Sequence, residues 1–391
     1  MKSLNICNIY TAAWCLYLLQ GFLYAKGSPI GKILILLILL MSLYYFTSNL
    51  FRINNTPYLK ALNALVVLFT AYGILSMLVG TVSVTAGGNE RTGFDFVKQY
   101  YSSILPIYAY LSFARDGYIN KRWFNKWIYV FFFVAIVVFF NKRSEMLKEA
   151  MMLGSQQTEF INNYAYLFIS LIPAIVLVSH KKYLPWILWL IVIAFSLYSF
   201  KRGAIMTSGI CFLYYLYAVV GTKSKKGLRY TWFAVIVFVG VYFVIDYLMA
   251  NSEYFWVRVE VTQEGSSSHR DELYLAAWQV FINSEPINML FGHGANSTAS
   301  LIGNGAHNDW LEILVCFGLI GIFVFTLYWL ASYKTWKRID KTYGLRLAFG
   351  TFLIATFMRT LFSFSIGDMS FFEATVVGYC LCFGSKREQP L

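Results

Sequence analysis

From Cys7 to Gly384 the chain is a succession of long apolar runs, and no other feature limits its fold as strongly. A run of about 20 apolar residues, wound as a helix, crosses the ~30 Å of hydrocarbon in a bilayer. In lipid every backbone N–H and C=O must be satisfied by protein, which leaves helices or closed barrels, and runs of this length read as helices. Twelve are read: 7–25, 30–50, 59–84, 101–114, 127–140, 160–179, 183–199, 204–221, 231–250, 308–331, 346–364 and 370–384. The fourth and twelfth are short enough for tilted or re-entrant helices, and eleven is the neighbouring count. The expected fold is an all-α polytopic integral membrane protein with about 12 transmembrane helices, a single transmembrane domain over 1–391. Apolar residues make up 58% of the chain and charged residues 13%. Globular proteins carry about 25% charged residues, so a soluble domain is excluded.

The charges supply an independent orientation. If the N-terminus is cytoplasmic, the inner segments hold 20 of the 32 Lys and Arg but only three acidic residues, Asp116, Asp340 and Glu388. Positive charge is retained on the cytoplasmic side, so both termini are expected there. The net charge of +13 is then a consequence of topology and calls for no nucleic-acid partner. The basic stretches 222–229 and 332–346 read as anchors on anionic lipid head groups. Cys7, Cys15, Cys211, Cys316, Cys380 and Cys382 lie in expected spans without metal-ligand spacing and read as small apolar residues. No small-residue cleavage site follows the first run, which reads as a retained helix.

Two outer loops stand out, a shorter one at about 85–100 and a large one at about 251–306. Within the large loop Leu273, Ala276, Ala277, Val280 and Phe281 recur at helical spacing, which predicts a helix over 269–283. Ser268, three residues before Asp271, resembles a capping box, and Pro286 bars continuation. The glycine-rich stretch 291–306 reads as a flexible lead into His307.

The titratable residues of interest sit at one edge of the expected bilayer. His307 and Asn308 stand where a polar loop meets an apolar helix. A neutral imidazole there can take a proton from a hydroxyl; the plainer alternative is a residue capping a helix. Gly318 and Gly321, one turn apart, read as a close-packing pair that holds this helix. Lys201 and Arg202 are adjacent cations on the outer side, suited either to snorkelling or to capture of a phosphate or diphosphate. Arg270 opens the amphipathic helix, pairing with Asp271 or Glu272 or forming an anion site. Arg359 lies near the end of the eleventh span, where a buried charge demands a partner: Asp368, Glu373 or a substrate phosphate. There is no phosphate-binding glycine loop and no paired His or Cys metal spacing.

Together these residues resemble the O-antigen ligase and O-antigen polymerase superfamily of bacterial envelope proteins. The hallmark is His then Asn, nine residues, then G-x-x-G, met here by His307, Asn308, Gly318 and Gly321. Arg202-Gly203 matches an Arg-Gly pair at a span's outer end, and Arg270, Trp278, Pro286 and Gly292-His293-Gly294 match a third stretch. The likeness covers about 196–325 in detail; the N-terminal half matches in hydropathy alone.

The resemblance implies a type C membrane glycosyltransferase at the periplasmic face, with a glycan donor linked through diphosphate to undecaprenol. It implies catalytic roles for His307, Arg202 and Arg270, and substrate binding by Asn308, Lys201, Arg359 and His293. It implies inversion of the anomeric carbon, no cofactor and no metal, the arginines stabilising the leaving diphosphate. The acceptor is a lipid-linked repeat unit for a polymerase, the first reading, or lipid A-core for a ligase. Membrane lipids and a chain-length regulator are the further partners implied. A polysaccharide or lipid transporter or flippase is the reading from another class, although transporters place charge near the midplane in repeated halves. A non-catalytic scaffold is the third.

Overall fold

The computed structural model describes residues 5–52, 56–80, 82–84, 90–152, 160–178, 183–220, 225–253, 255–257, 260, 270–340, 344–362 and 367–384. Each of the twelve apolar runs falls on helix. In order these are α1 (Ile6–Leu18), α2 (Pro29–Leu50), α3 (Pro57–Val79), α4 (Gly93–Ile104), α5 (Pro106–Arg115), α6 (Lys121–Met152), α7 (Ala165–Leu177), α8 (Leu184–Tyr198), α9 (Arg202–Val220) and α10 (Lys225–Asn251). Three short helices follow, α11 (Arg270–Ile282), α12 (Pro286–Phe291) and α13 (Ser297–Ile302). The chain then returns through α14 (Asp309–Arg338), α15 (Leu345–Phe362) and α16 (Phe371–Phe383). By length and composition α2, α3, residues 121–148 of α6, α14 and α15 can each cross a bilayer, and further apolar helices are shorter. The protein is thus polytopic and overwhelmingly helical.

Local chemistry sets the helix ends. Ser28-Pro29 and Thr56-Pro57 start α2 and α3, each hydroxyl accepting a first-turn N–H while proline takes the place where no N–H is needed. Gly80, at φ 70°, ends α3 in the left-handed region. Two departures from the sequence reading follow from such signals. The fourth run is divided by Pro106, which opens α5, and α4 begins earlier, at a capping box between Thr92 and Asp95. The expected loop at 85–100 therefore contains most of α4 and a strand of a hairpin, β1 (Val82–Val84) with β2 (Glu90–Thr92), paired antiparallel. Residues 85–89 lie outside the described residues, as does Ser268.

Burial is deepest in α5, α7 and α16, where Ile107 to Phe113, Phe168 to Val176 and Phe372 to Cys380 are almost continuously enclosed. Gly378 makes the α5–α16 contact possible: a Cβ there would stand 2.6 Å from the Leu111 backbone N. α14 packs along α3, and α15 lies against α7 and α9. The outer helices turn apolar side chains outward, Leu36, Leu40 and Tyr44 on α2 and Phe238, Tyr242 and Phe243 on α10. Such surfaces are tolerated in lipid.

α14 is broken in the middle. Gly318 takes φ 61° and ψ −156°, far from helical values. The carbonyls of Val315 and Cys316, released by the break, accept from the His293 and Gly294 N–H groups at 2.9 and 3.0 Å. A Cβ on Gly318 would lie 2.6 Å from the backbone of Leu290 and Gly292, and one on Gly292 would lie 2.3 Å from the Cys316 carbonyl. The sequence reading of Gly318 as a packing glycine is right in kind, but the partner is the outer-loop backbone and the helix is not continuous.

Gly318→Ala should therefore combine a backbone penalty of about 1–3 kcal/mol with a steric one. Gly27, at φ 74° with nothing within 4 Å of its Cβ position, supplies the control. In detergent thermal melts Gly318→Ala should lower Tm clearly more than Gly27→Ala; equal shifts would mean the break is not held by this contact.

Candidate active site

Asn308 caps α14, its side-chain oxygen accepting from the N–H groups of Trp310 at 2.9 Å and Leu311 at 3.3 Å. Four residues on, Glu312 reaches back and accepts from the Ala306 N–H at 2.7 Å. These three bonds pin the chain on both sides of His307, which adopts φ 51°. A β-carbon makes the left-handed region unfavourable, and residues held there cluster at functional sites. The His307 imidazole is half-buried. Burial first, then the charges of Arg270 and Lys201, lower its pKa below the ordinary histidine value. His307 is therefore neutral at physiological pH and able to accept a proton.

His307 stands where two cavities meet. The larger, about 590 Å³, is lined by Lys201, Arg91, Arg359, Asp368, Tyr166 and residues from α1, α4 and the start of α16. The smaller, about 260 Å³, is lined by Asp309, Glu312, Asn304, Tyr100 and their neighbours. His307, Arg91 and Gln99 belong to both. Residues preceding α4, α7, α9, α14 and α16 all reach this end of the molecule, so the site is built from segments far apart in sequence.

Tyr166 organises the cationic wall. The Lys201 Nζ lies 6.0 Å and the Arg359 Cζ 5.3 Å from its ring centroid, within cation–π range. Its hydroxyl is buried and has no hydrogen-bond partner among the described residues. A Cβ on Gly203 would fall 2.5 Å from that hydroxyl, so the glycine after Arg202 is the space Tyr166 occupies. Phe200, at φ 54°, turns the chain immediately before Lys201, whose N–H donates to the Ser199 Oγ at 3.1 Å.

Arg270, first residue of α11, reaches His307 and Tyr166 electrostatically. α11 carries it there by burying Ala277 against Ala306 and Val315, and the Tyr274 hydroxyl donates to the Leu361 carbonyl at 3.0 Å. The helix and its inward stripe match the sequence reading within one residue at each end.

The other expected residues are distributed differently. Arg202 opens α9 half-buried and does not line either cavity; Lys201 does. Arg359, expected on substrate, is 2% exposed and committed within the protein, bonding both carboxylate oxygens of Glu373 at 3.0 and 3.2 Å. It also donates to the Asp368 carbonyl at 2.8 Å, making it a strut for the segment that walls the larger cavity. The expected pairing with Glu373 is realised, and Arg359 also lines the larger cavity. His293 pairs with the Ser284 Oγ at 2.7 Å through Nε2, in the segment packed on Gly318 and away from both cavities. Asn308 is a helix cap. Arg91, Gln99, Tyr166 and Glu312 were not singled out from the sequence; only Glu312, an acid four residues after the cap, carried a readable signal. Among the described residues no trio of His, Cys, Asp or Glu is arranged to hold a metal ion.

No curated protein matches the chain. A family model described as O-antigen ligase matches residues 186–326, about a third of the chain. That match runs from α8 into α14 and takes in Lys201, Arg202, Arg270, His293, His307, Asn308, Gly318 and Gly321, whereas Arg91, Tyr166 and Arg359 come from outside it. Over residues 186–326 the chain is similar to the O-antigen ligase family, in line with the superfamily its motifs resemble.

Proposed function

We propose that the protein transfers a glycan from undecaprenyl diphosphate to an acceptor sugar at the periplasmic face of a bacterial inner membrane, as a surface-polysaccharide polymerase. The carrying observation is His307, held neutral at the meeting of two cavities with Lys201 and Arg270 within electrostatic reach. The twelve apolar runs are read as twelve crossings, with both termini and the basic loops on the cytoplasmic side.

The chemistry follows from the charges. The diphosphate lies in the larger cavity against Lys201 and Arg91, with Arg270 beside His307. The acceptor hydroxyl gives its proton to the neutral imidazole while its oxygen attacks the anomeric carbon. The carbon–oxygen bond to the diphosphate breaks, and the departing charge is stabilised by the three cations in a partly dehydrated site. Attack opposite the leaving group inverts the anomeric centre. Arg202 adds charge from one residue behind Lys201, and no metal is required for the leaving group in this scheme.

Lipopolysaccharide from a strain lacking the protein tests the reading directly. Core bearing a single repeat unit is the polymerase outcome. Bare core with accumulated lipid-linked polymer assigns a ligase instead, and unaltered glycan contradicts glycosyl transfer altogether.

His307→Ala should reduce transfer by at least about 10²-fold, the scale of a lost general base, with normal membrane insertion. Lys201→Ala should raise the donor KM more than Arg202→Ala does; the reverse order would return Arg202 to the cavity wall. The pH profile has a definite sign. Neutral imidazole is the active form, so kcat/KM should fall only below the ordinary histidine pKa of about 6.5. Lys201→Gln removes a charge that disfavours protonation, so the acid limb should move to higher pH. A wild-type limb above that ordinary value would contradict the geometry.

A further inference from the structure

The two cavities differ in chemistry. The larger presents the cations just described. The smaller presents the carboxyl groups of Asp309 and Glu312 and the amide of Asn304, with Arg91 at the shared mouth. Acidic groups in the lining disfavour a diphosphate, and the volume of about 260 Å³ leaves no room for a polyprenyl chain.

One wall of the smaller cavity is aromatic. The Tyr100 ring lies 4.4 Å from Phe96 and 4.3 Å from Phe69, and Phe317 stands 5.7 Å from Phe96. Phe96 and Phe317 are almost wholly buried, so these rings back a rigid face instead of a mobile one. The lining also carries carboxyl groups and amides, acceptors and donors suited to hydroxyl groups. An apolar ring face beside convergent polar groups is the pattern of a small-molecule site, and this one falls just below the usual range of about 300–1,000 Å³. One sugar ring fits it: its C–H face against Tyr100, its hydroxyls on Glu312, Asp309 and Asn304, and one hydroxyl at His307.

We propose that the small chamber formed by Asp309, Glu312, Asn304 and Tyr100 is the acceptor-sugar subsite, and that its carboxylates select a neutral or amino sugar over an acidic one. The proposal rests on the glycosyl-transfer reading, which it deepens by dividing the site into a cationic donor half and an anionic acceptor half with His307 between them. Transfer then requires no rearrangement of His307, since the imidazole lines both chambers.

The test uses two probes on the purified full chain in detergent. Saturation-transfer difference NMR reads contact with free galactose, glucose, N-acetylglucosamine, glucosamine and glucuronate. Native mass spectrometry reads binding of undecaprenyl diphosphate. In the wild type, neutral and amino sugars should give ring-proton signals and glucuronate should not. Glu312→Gln keeps an oxygen for the Ala306 N–H and should preserve the fold, yet it and Asn304→Ala should weaken the sugar signals several-fold with undecaprenyl diphosphate binding intact. Lys201→Ala should do the opposite. Sugar signals absent from the wild type, or unchanged in both chamber variants, or strongest for glucuronate, would overturn the subsite. Failure of the wild type to bind undecaprenyl diphosphate would overturn the donor reading, leaving the sugar signals to decide the chamber independently.

Discussion

Two backbone N–H groups, those of His293 and Gly294, bond the carbonyls that open where α14 breaks at Gly318, and the site depends on this junction. A buried carbonyl left unbonded is unfavourable by an amount comparable to a lost hydrogen bond, and in lipid by more. The break is thus tolerable only while the outer loop sits on it, and the loop is anchored because the break exists. Tyr72 adds a hydrogen bond to the Phe291 carbonyl, and the Ala295 N–H donates to the Ser76 Oγ at 3.3 Å, fixing the same segment to α3. With the loop so placed, α11 lies on the first turns of α14 and Arg270 is delivered beside His307.

Around the imidazole, charge is sorted by element. Cations arrive from β2 and the start of α9, with a further one from α11. Carboxylates arrive from the first turn of α14, where the helix dipole already favours them. The Arg359–Glu373 pair neutralises itself beneath the cationic wall, so a guanidinium lies close by without adding net charge to the cavity. Breaking such a buried pair leaves an uncompensated charge, and its value here is the fixed position of the segment from Gly367 to Phe371.

Much of this was legible in the residues. Hydropathy located a helix for every apolar run, because lipid leaves the backbone so few alternatives. The stripe from Leu273 to Phe281 located α11, and the motif from His307 to Gly321 pointed to the histidine that lines both cavities. Arg359 announced a partner, since a charge at that depth demands one. Other features gave no periodic signal. A helix that breaks at Gly318 has the same apolar pattern as one that does not. Arg91 is one arginine in a three-residue strand, and nothing local distinguishes it from a solvated charge. Lys201 and Arg202 are neighbours in sequence, and which of them faces the cavity is decided by the left-handed turn at Phe200, which composition does not encode.

The contact between Gly203 and the Tyr166 hydroxyl carries a consequence for inheritance. The glycine of the Arg-Gly pair owes its place to an aromatic residue on another helix, outside the matched domain. In descendants of this chain the two positions form one heritable unit: an alanine at 203 becomes acceptable once 166 has shortened to phenylalanine or smaller. A lineage that keeps tyrosine has no such freedom.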